Sequence, residues 1–118
     1  GLITDDRGDK LASHKKYFSR PDNGGRQFKT LSEVVDYVQP TILMGLSTQR
    51  GVFSESILNK MALFNKKPII MPLSNPSSKS ECTFEEAIKW THGRAIFAGG
   101  SPFPPYEYNG KLMYPSQG

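Results

Sequence analysis

Apolar residues in this chain fall into two kinds of run that alternate. Leu31, Val34, Val35 and Val38 stand at i, i+3, i+4 and i+7, a spacing that puts them along one side of a helix. Thr30-Leu31-Ser32-Glu33 fits a capping box, with the Thr30 hydroxyl accepting from the Glu33 backbone and the Glu33 side chain reaching back. Pro40 stops that helix. Thr41 to Leu46 is short, continuous and apolar, the pattern of a strand buried on both faces. It empties into the polar loop Ser47-Thr48-Gln49-Arg50-Gly51. Ser54 caps a second helix, residues 55–65, with Ile57, Leu58, Met61, Ala62 and Phe64 inward. Pro68 to Leu73 reads as a second buried strand. Thr83-Phe84-Glu85-Glu86 is another capping-box match and opens a third helix with Phe84, Ala87, Ile88 and Thr91 on one side. Gly93 closes it. Arg94 to Ala98 is a third strand, running into Gly99-Gly100-Ser101-Pro102.

Outside this alternation, residues 9–18 are weakly helical, and residues 19–29, with Pro, Asn and paired Gly, form a loop. Asn109-Gly110 is a hairpin turn signal. The resulting order, α-β-α-β-α-β with short connections, predicts right-handed crossovers and a parallel sheet covered on both faces.

Composition narrows the function classes. The 118 residues are enough for one compact domain, and 36% hydrophobic with 22% charged residues is a globular composition. The formal charge is +4, but the 15 basic residues are dispersed among 11 acidic ones. No basic stripe forms, so a nucleic-acid partner is not expected. Cys82 is the single cysteine. No internal disulfide is possible, and with neither His14 nor His92 placed to activate it, the thiol is expected to be buried and inert. No apolar run approaches membrane-spanning length and no signal-peptide pattern opens the chain. The apolar start without Met, "GLI", and the end on "PSQG" read as a piece of a longer polypeptide.

In a parallel sheet the carboxyl ends of the strands line one edge, and ligands bind in the crevice outside it. The residues just past the three strands are Ser47-Thr48-Gln49, Ser74-Asn75-Pro76 and Gly100-Ser101-Pro102. Small hydroxyl, amide and glycine groups at these exits let a ligand approach the backbone and offer neutral hydrogen bonds. Turns favour the same residues for reasons of their own, so composition alone leaves both readings open. Asn75 carries one further feature. Pro76 after it restricts its backbone to extended conformations, which limits the directions its carboxamide can take. An Asp in that place would repel an anionic ligand. No G-x-G-x-x-G, no Walker A loop and no metal-spaced cluster of His, Cys or carboxylates occurs, and nothing makes a complete acid–base set. Asp5-Asp6 reads as solvated, and Glu85-Glu86 as serving the cap and the helix dipole.

The block "KPIIMPLSNPSSKSECTFEEAIKWTHGRAIFAGGSPF", residues 67–103, closely resembles the cofactor-domain signature of malic enzymes. "QPTILMGLSTQRGVFSESILNKMA" (residues 39–62) resembles the preceding β-α segment of that family, "YNGKLMYPSQG" its next one, and the opening "GLITDDRGDKL" the stretch after its second cofactor-domain strand. The resemblance spans nearly the whole chain. It implies a single partial NAD(P)-binding domain over residues 1–118, a Rossmann-like three-layer αβα parallel sheet lacking the glycine-rich first βα unit. The implied activity is oxidative decarboxylation of (S)-malate to pyruvate and CO₂ with NAD or NADP, assisted by Mg or Mn. The family's metal ligands, its acid–base Tyr and Lys and its glycine loop lie upstream of the matched segment, so no catalytic or metal residue is assigned here. The implied partners are malate, the remainder of the enzyme chain and further copies in a homo-oligomer, with no nucleic acid and no membrane; the compartment would be intracellular, cytoplasmic or mitochondrial.

Residue by residue, Asn75 matches the asparagine of the family's L-S-N-P motif, and so resembles a ligand for the malate carboxylate beside the nicotinamide. Gly45, Leu46 and Ser47 match the strand end packed against the nicotinamide side of the cofactor, and Ser74 joins the same crevice by adjacency. A second substrate asparagine of the family follows its P-x-Q-x segment, just past Gly118. Two residues depart from the family pattern: Gly99 stands where Ser is usual, and Ser116 where Gly is common. Two alternatives stay open. A malolactic-type enzyme would give lactate instead of pyruvate, and a free-standing nucleotide-binding or regulatory module would have no malate chemistry.

Overall fold

The computed structural model describes residues 19–21, 24–25 and 27–118; the helix expected over 9–18 and the pair Asp5-Asp6 lie outside them. Helix α1 spans Leu31–Val38, strand β1 Ile42–Gly45, helix α2 Glu55–Phe64, strand β2 Ile69–Pro72, helix α3 Phe84–Trp90 and strand β3 Ile96–Gly99. A 3₁₀ turn over Ser77–Lys79 follows β2. The hairpin strands β4 (Tyr106–Tyr108) and β5 (Lys111–Met113) and a short strand β6 (Ser116–Gln117) complete the order.

The start of each helix follows from its cap. The Thr83 hydroxyl accepts from the Glu86 N–H while the Glu86 carboxylate accepts from the Thr83 N–H, so the second capping box closes in both directions. The first closes differently. Thr30 accepts from Glu33 as expected, but the Glu33 carboxylate takes the N–H of Lys29, one residue further out. Ser54 accepts from the Ile57 N–H at the start of α2. Gly93 ends α3 at φ +75°, its N–H donating to the Ile88 carbonyl, a backbone conformation that a side chain would strain. Asn109 and Gly110, both at positive φ, make the tight β4–β5 turn that the sequence predicts.

The strands β1-β2-β3-β6 lie side by side in that order, all parallel. This parallel sheet flanked by helices has the form of a partial Rossmann-like α/β fold. Its fourth strand, β6, was not apparent in the sequence, because two residues inside "YPSQG" carry no periodicity. Each connection steps to the next strand in the same direction, so crossovers of a single hand place α2 and α3 on one face. There Leu43, Ile70 and Phe97 meet Val35, Ile57, Leu58, Met61, Phe84, Ala87 and Ile88 in one core cluster.

The other face departs from expectation. Ile42, Met44 and Ile96 are 50%, 54% and 52% exposed, so β1 and β3 are not buried on both sides. The cause is the uniform strand order, which brings every connecting helix among the described residues to the opposite face. Val38, the last residue of the α1 stripe, is also largely exposed, whereas all four stripe residues of α3 are buried. Cys82 is buried as predicted; loss of solvent, with the nearby carboxylates Glu86 and Glu81, pushes its thiol far above the ordinary range. No helix among the described residues is long and apolar enough to cross a membrane.

Candidate functional site

The strand register brings the three predicted exits together. Gly45 pairs with Pro72 across β1 and β2. The ladder then runs on past the strand ends: Leu73 N–H donates to the Gly45 carbonyl at 2.8 Å, Gly100 N–H to the Pro72 carbonyl at 3.0 Å and Gly118 N–H to the Gly99 carbonyl at 2.9 Å. Ser47, Asn75 and Ser101 therefore stand in a row along one edge, where the parallel topology puts a ligand crevice. Gly100 makes the closest approach: a Cβ on it would run into the backbone of Leu73, overlapping the carbonyl oxygen and lying 2.5 Å from its carbon. Only glycine brings the exit of β3 this near to that of β2.

A buried carboxylate ties the exits of β1 and β2. Glu81 has no solvent exposure, and its Oε2 accepts three hydrogen bonds: from the Ser47 N–H and hydroxyl, both at 2.8 Å, and from the Ser74 hydroxyl at 2.7 Å. Ser74 Oγ in turn accepts from the Thr48 N–H at 2.8 Å. The second carboxylate oxygen, Oε1, is buried without a partner among the described residues. A Cβ on Gly45 would fall 2.5–2.7 Å from Cδ, Cγ and Oε1 of Glu81, so the glycine leaves the space this side chain fills. Burial alone would push the Glu81 carboxyl up; the bonds from Ser74 and Ser47 outweigh it and hold it below the usual value.

That direction fixes a pH dependence. A group whose folded value is depressed stabilises in full above its unfolded value, about 4.3 for Glu, and the contribution is lost as pH falls through the lower folded value. Acid titration of the protein should therefore show a loss of stability below about pH 4 that is smaller in Glu81→Gln. Equal acid sensitivity of the two, followed by circular dichroism, would contradict an ionised Glu81.

Asn75 sits at the centre of the row. It is exposed, and its peptide bond to Pro76 is cis. Its Oδ1 accepts from the hydroxyl of Ser101, itself only 3% exposed, at 2.7 Å. The Nδ2 group takes no partner among the described residues. The carboxamide thus keeps its acceptor inside and offers its two N–H groups outward.

Of the residues singled out from sequence, Gly45, Leu46, Ser47, Ser74 and Asn75 all lie on this edge. Their parts differ. Leu46 is 72% exposed and presents an apolar surface, while Ser74 is buried with its hydroxyl engaged by Glu81 and Thr48. Glu81 and Ser101 emerge only from the structure. Glu81 lies seven residues beyond Ser74 in a loop whose polar letters look like any other turn, and Ser101 was visible only as one of several small residues at an exit.

A family model described as "Malic enzyme, NAD binding domain" matches residues 1–118. The chain belongs to the malic enzyme family, in its NAD-binding domain. Among similar proteins, an NADP-dependent malic enzyme of Dictyostelium discoideum is 52% identical over 118 residues, all of this chain and 22% of that protein. One from Vitis vinifera is 47% identical over 117 residues, covering 99% of this chain and 19% of the relative. One from Anas platyrhynchos is 45% identical over 119 residues, 100% of this chain and 21% of the relative. The chain thus spans about a fifth of the length of the curated relatives it matches.

For this malic enzyme domain the two groups that the family implies fit unequally. The strand-exit edge offers a dinucleotide exposed apolar Leu46 beside the Ser47 hydroxyl and the Asn75 carboxamide. A divalent metal finds no donor set: no group of three or more His, Cys, Asp or Glu that could hold one occurs among the described residues. Gly99, where the resemblance leads one to expect Ser, lies in a tight place. A Cβ there would stand 3.1–3.2 Å from Phe103, Phe97 and the Ser101 carbonyl, and Phe97 and Phe103 pack edge to face at 5.9 Å.

Proposed function

We propose that this domain supplies the nicotinamide-side crevice and one substrate ligand of an enzyme that oxidatively decarboxylates (S)-malate to pyruvate and CO₂. The observation that carries the reading is the Asn75 carboxamide, held at a strand exit with its acceptor turned in to Ser101 and its donors turned out. A neutral double donor binds a carboxylate directionally without the repulsion that an Asp would bring. Gly45, Leu46 and Ser47, with Ser74 beneath them, form the cofactor side of the same crevice.

In the proposed reaction malate loses the C2 hydroxyl proton and the C2 hydride; the C3–C4 bond then breaks, CO₂ leaves, and the electron pair remains as the enolate of pyruvate until a proton arrives. The dinucleotide supplies the hydride acceptor. Because the relatives are named NADP-dependent, NADP is the cofactor to test first, with NAD beside it. The part of this chain is to hold the carboxylate by Asn75 and to keep the edge rigid through Glu81, so that C2 faces the ring. Mg or Mn, the acid–base groups and the glycine loop belong, in this reading, to the remainder of the malic enzyme chain, which assembles as a homo-oligomer.

The test is steady-state assay of the complete enzyme with (S)-malate and each dinucleotide, with the product identified. Pyruvate with one reduced dinucleotide per turnover is expected. Lactate without released reduced cofactor would replace the reading with the malolactic alternative, and no turnover of malate would overturn both. The 118 residues by themselves are expected to give no turnover, and measurable reduction of dinucleotide by a pure sample of this chain would contradict the division of labour.

A further inference from the structure

We infer that Ser101 is a positioning residue: its buried hydroxyl holds the Asn75 carboxamide by Oδ1, with the two N–H donors toward the ligand at the exit of β2. The inference rests on the reading of Asn75 as the malate ligand and deepens it. A carboxamide is nearly symmetric in shape, and its two orientations offer opposite chemistry. With Oδ1 inward the ligand meets two N–H donors; with Oδ1 outward it meets an acceptor, which a carboxylate avoids.

Nothing in the size of Asn75 chooses between these, and the Ser101 hydroxyl, which donates or accepts, complements either one. Ser101 is 3% exposed, so water competes poorly for it, and its Oγ lies 2.7 Å from Asn75 Oδ1. Its one hydrogen has a second acceptor in reach, the Ser74 carbonyl at 3.3 Å. The flipped amide would donate from Nδ2 to the Ser101 oxygen and free the hydroxyl hydrogen for the Ser74 carbonyl, so the hydroxyl by itself does not exclude it. An anionic ligand group outside selects the observed orientation, and Ser101 then holds it by donating to Oδ1 at 2.7 Å.

Ser101 reaches this place because Gly100 lets the exit of β3 press against the backbone of Leu73. The device therefore spans two strand exits: that of β2 carries the ligand-binding amide, and that of β3 the hydroxyl that holds it. The group this arrangement serves is a hydrogen-bond acceptor with negative charge, a carboxylate of the substrate.

A double-mutant cycle in the complete enzyme tests this, with kcat/KM for malate and KM for the dinucleotide measured in four proteins: wild type, Asn75→Ala, Ser101→Ala and the double variant. Ser101→Ala alone is expected to lower kcat/KM for malate about 3- to 10-fold, the scale of one neutral hydrogen bond, with KM for the dinucleotide unchanged. In the Asn75→Ala background the same substitution is expected to do nothing further, since no amide remains to be held. Ser101→Thr, which keeps the hydroxyl, should recover most of the loss. Equal fold-losses in both backgrounds, or no loss from Ser101→Ala in the wild type, would overturn the role of Ser101 while leaving Asn75 as a ligand. An unchanged kcat/KM in Asn75→Ala would instead remove the substrate reading itself, and the inference with it.

Discussion

Asn75→Ala in the complete enzyme is expected to lower kcat/KM for malate by about 1.5–3 kcal/mol, roughly 10- to 150-fold, the scale of a hydrogen bond to a charged group. The substitution removes an exposed side chain whose internal bond is to Ser101, so folding should be little affected and the loss should appear in substrate use. Its partition between kcat and KM is informative. A rise in KM with kcat held would mean that the carboxamide grips malate equally in the ground and transition states. A fall in kcat would mean that it also orients C2 for hydride transfer. An unchanged kcat/KM would leave Asn75 as a turn residue before Pro76, the reading that composition alone leaves open.

The second large effect falls on stability. Glu81→Ala is expected to destabilise the domain by about 3 kcal/mol, because it strips the acceptor from three donors at once and leaves a buried void beside Gly45. The Ser47 N–H, the Ser47 hydroxyl and the Ser74 hydroxyl converge on one oxygen, so their loss should be felt together and the exits of β1 and β2 should separate. Chemical denaturation of the complete enzyme checks this, with Glu81→Asp as the companion variant. Asp keeps the charge one methylene short and should recover part of the loss. A midpoint unchanged in Glu81→Ala would show that the exits are held by the sheet ladder alone.

Local rules made much of the fold legible. The three helices could be placed because each start is a side-chain cap and each inward face is a repeat; Ser54, Thr83 and the α3 stripe behave as that chemistry requires. The strands could be placed because apolar runs end abruptly at polar exits, and parallel pairing then brings those exits to one edge. What escaped was non-local. The exposure of Ile42, Met44 and Ile96 depends on which side the crossovers pass, and an apolar run reads alike whether one or two layers cover it. Strand β6 is too short for a period and pairs only because β3 stands beside it.

The site divides in the same way. Asn75 and Ser47 were legible as exit residues, since position along a strand is a sequence property, whereas Gly45 and Leu46, inside the expected strand, were singled out only by the family resemblance. Glu81 was not. Its function depends on three donors, two of which lie 34 residues back in the chain and one seven residues back, and no pattern joins those positions before the sheet does. Ser101 was legible as small and polar, but its bond to Asn75 across 26 residues was not. Close approach at Gly100 is what converts two ordinary turns into one arrangement.

The central claim is that the Asn75 carboxamide, held by Ser101, binds a substrate carboxylate at the carboxyl edge of the sheet. The most direct measurement is a crystal structure of the complete enzyme with dinucleotide and the non-reacting dicarboxylate tartronate. The account predicts Asn75 Nδ2 at about 2.7–3.2 Å from a carboxylate oxygen, with Ser101 Oγ still on Oδ1. A dicarboxylate bound elsewhere, or one whose carboxylate faces Asn75 Oδ1, would contradict it.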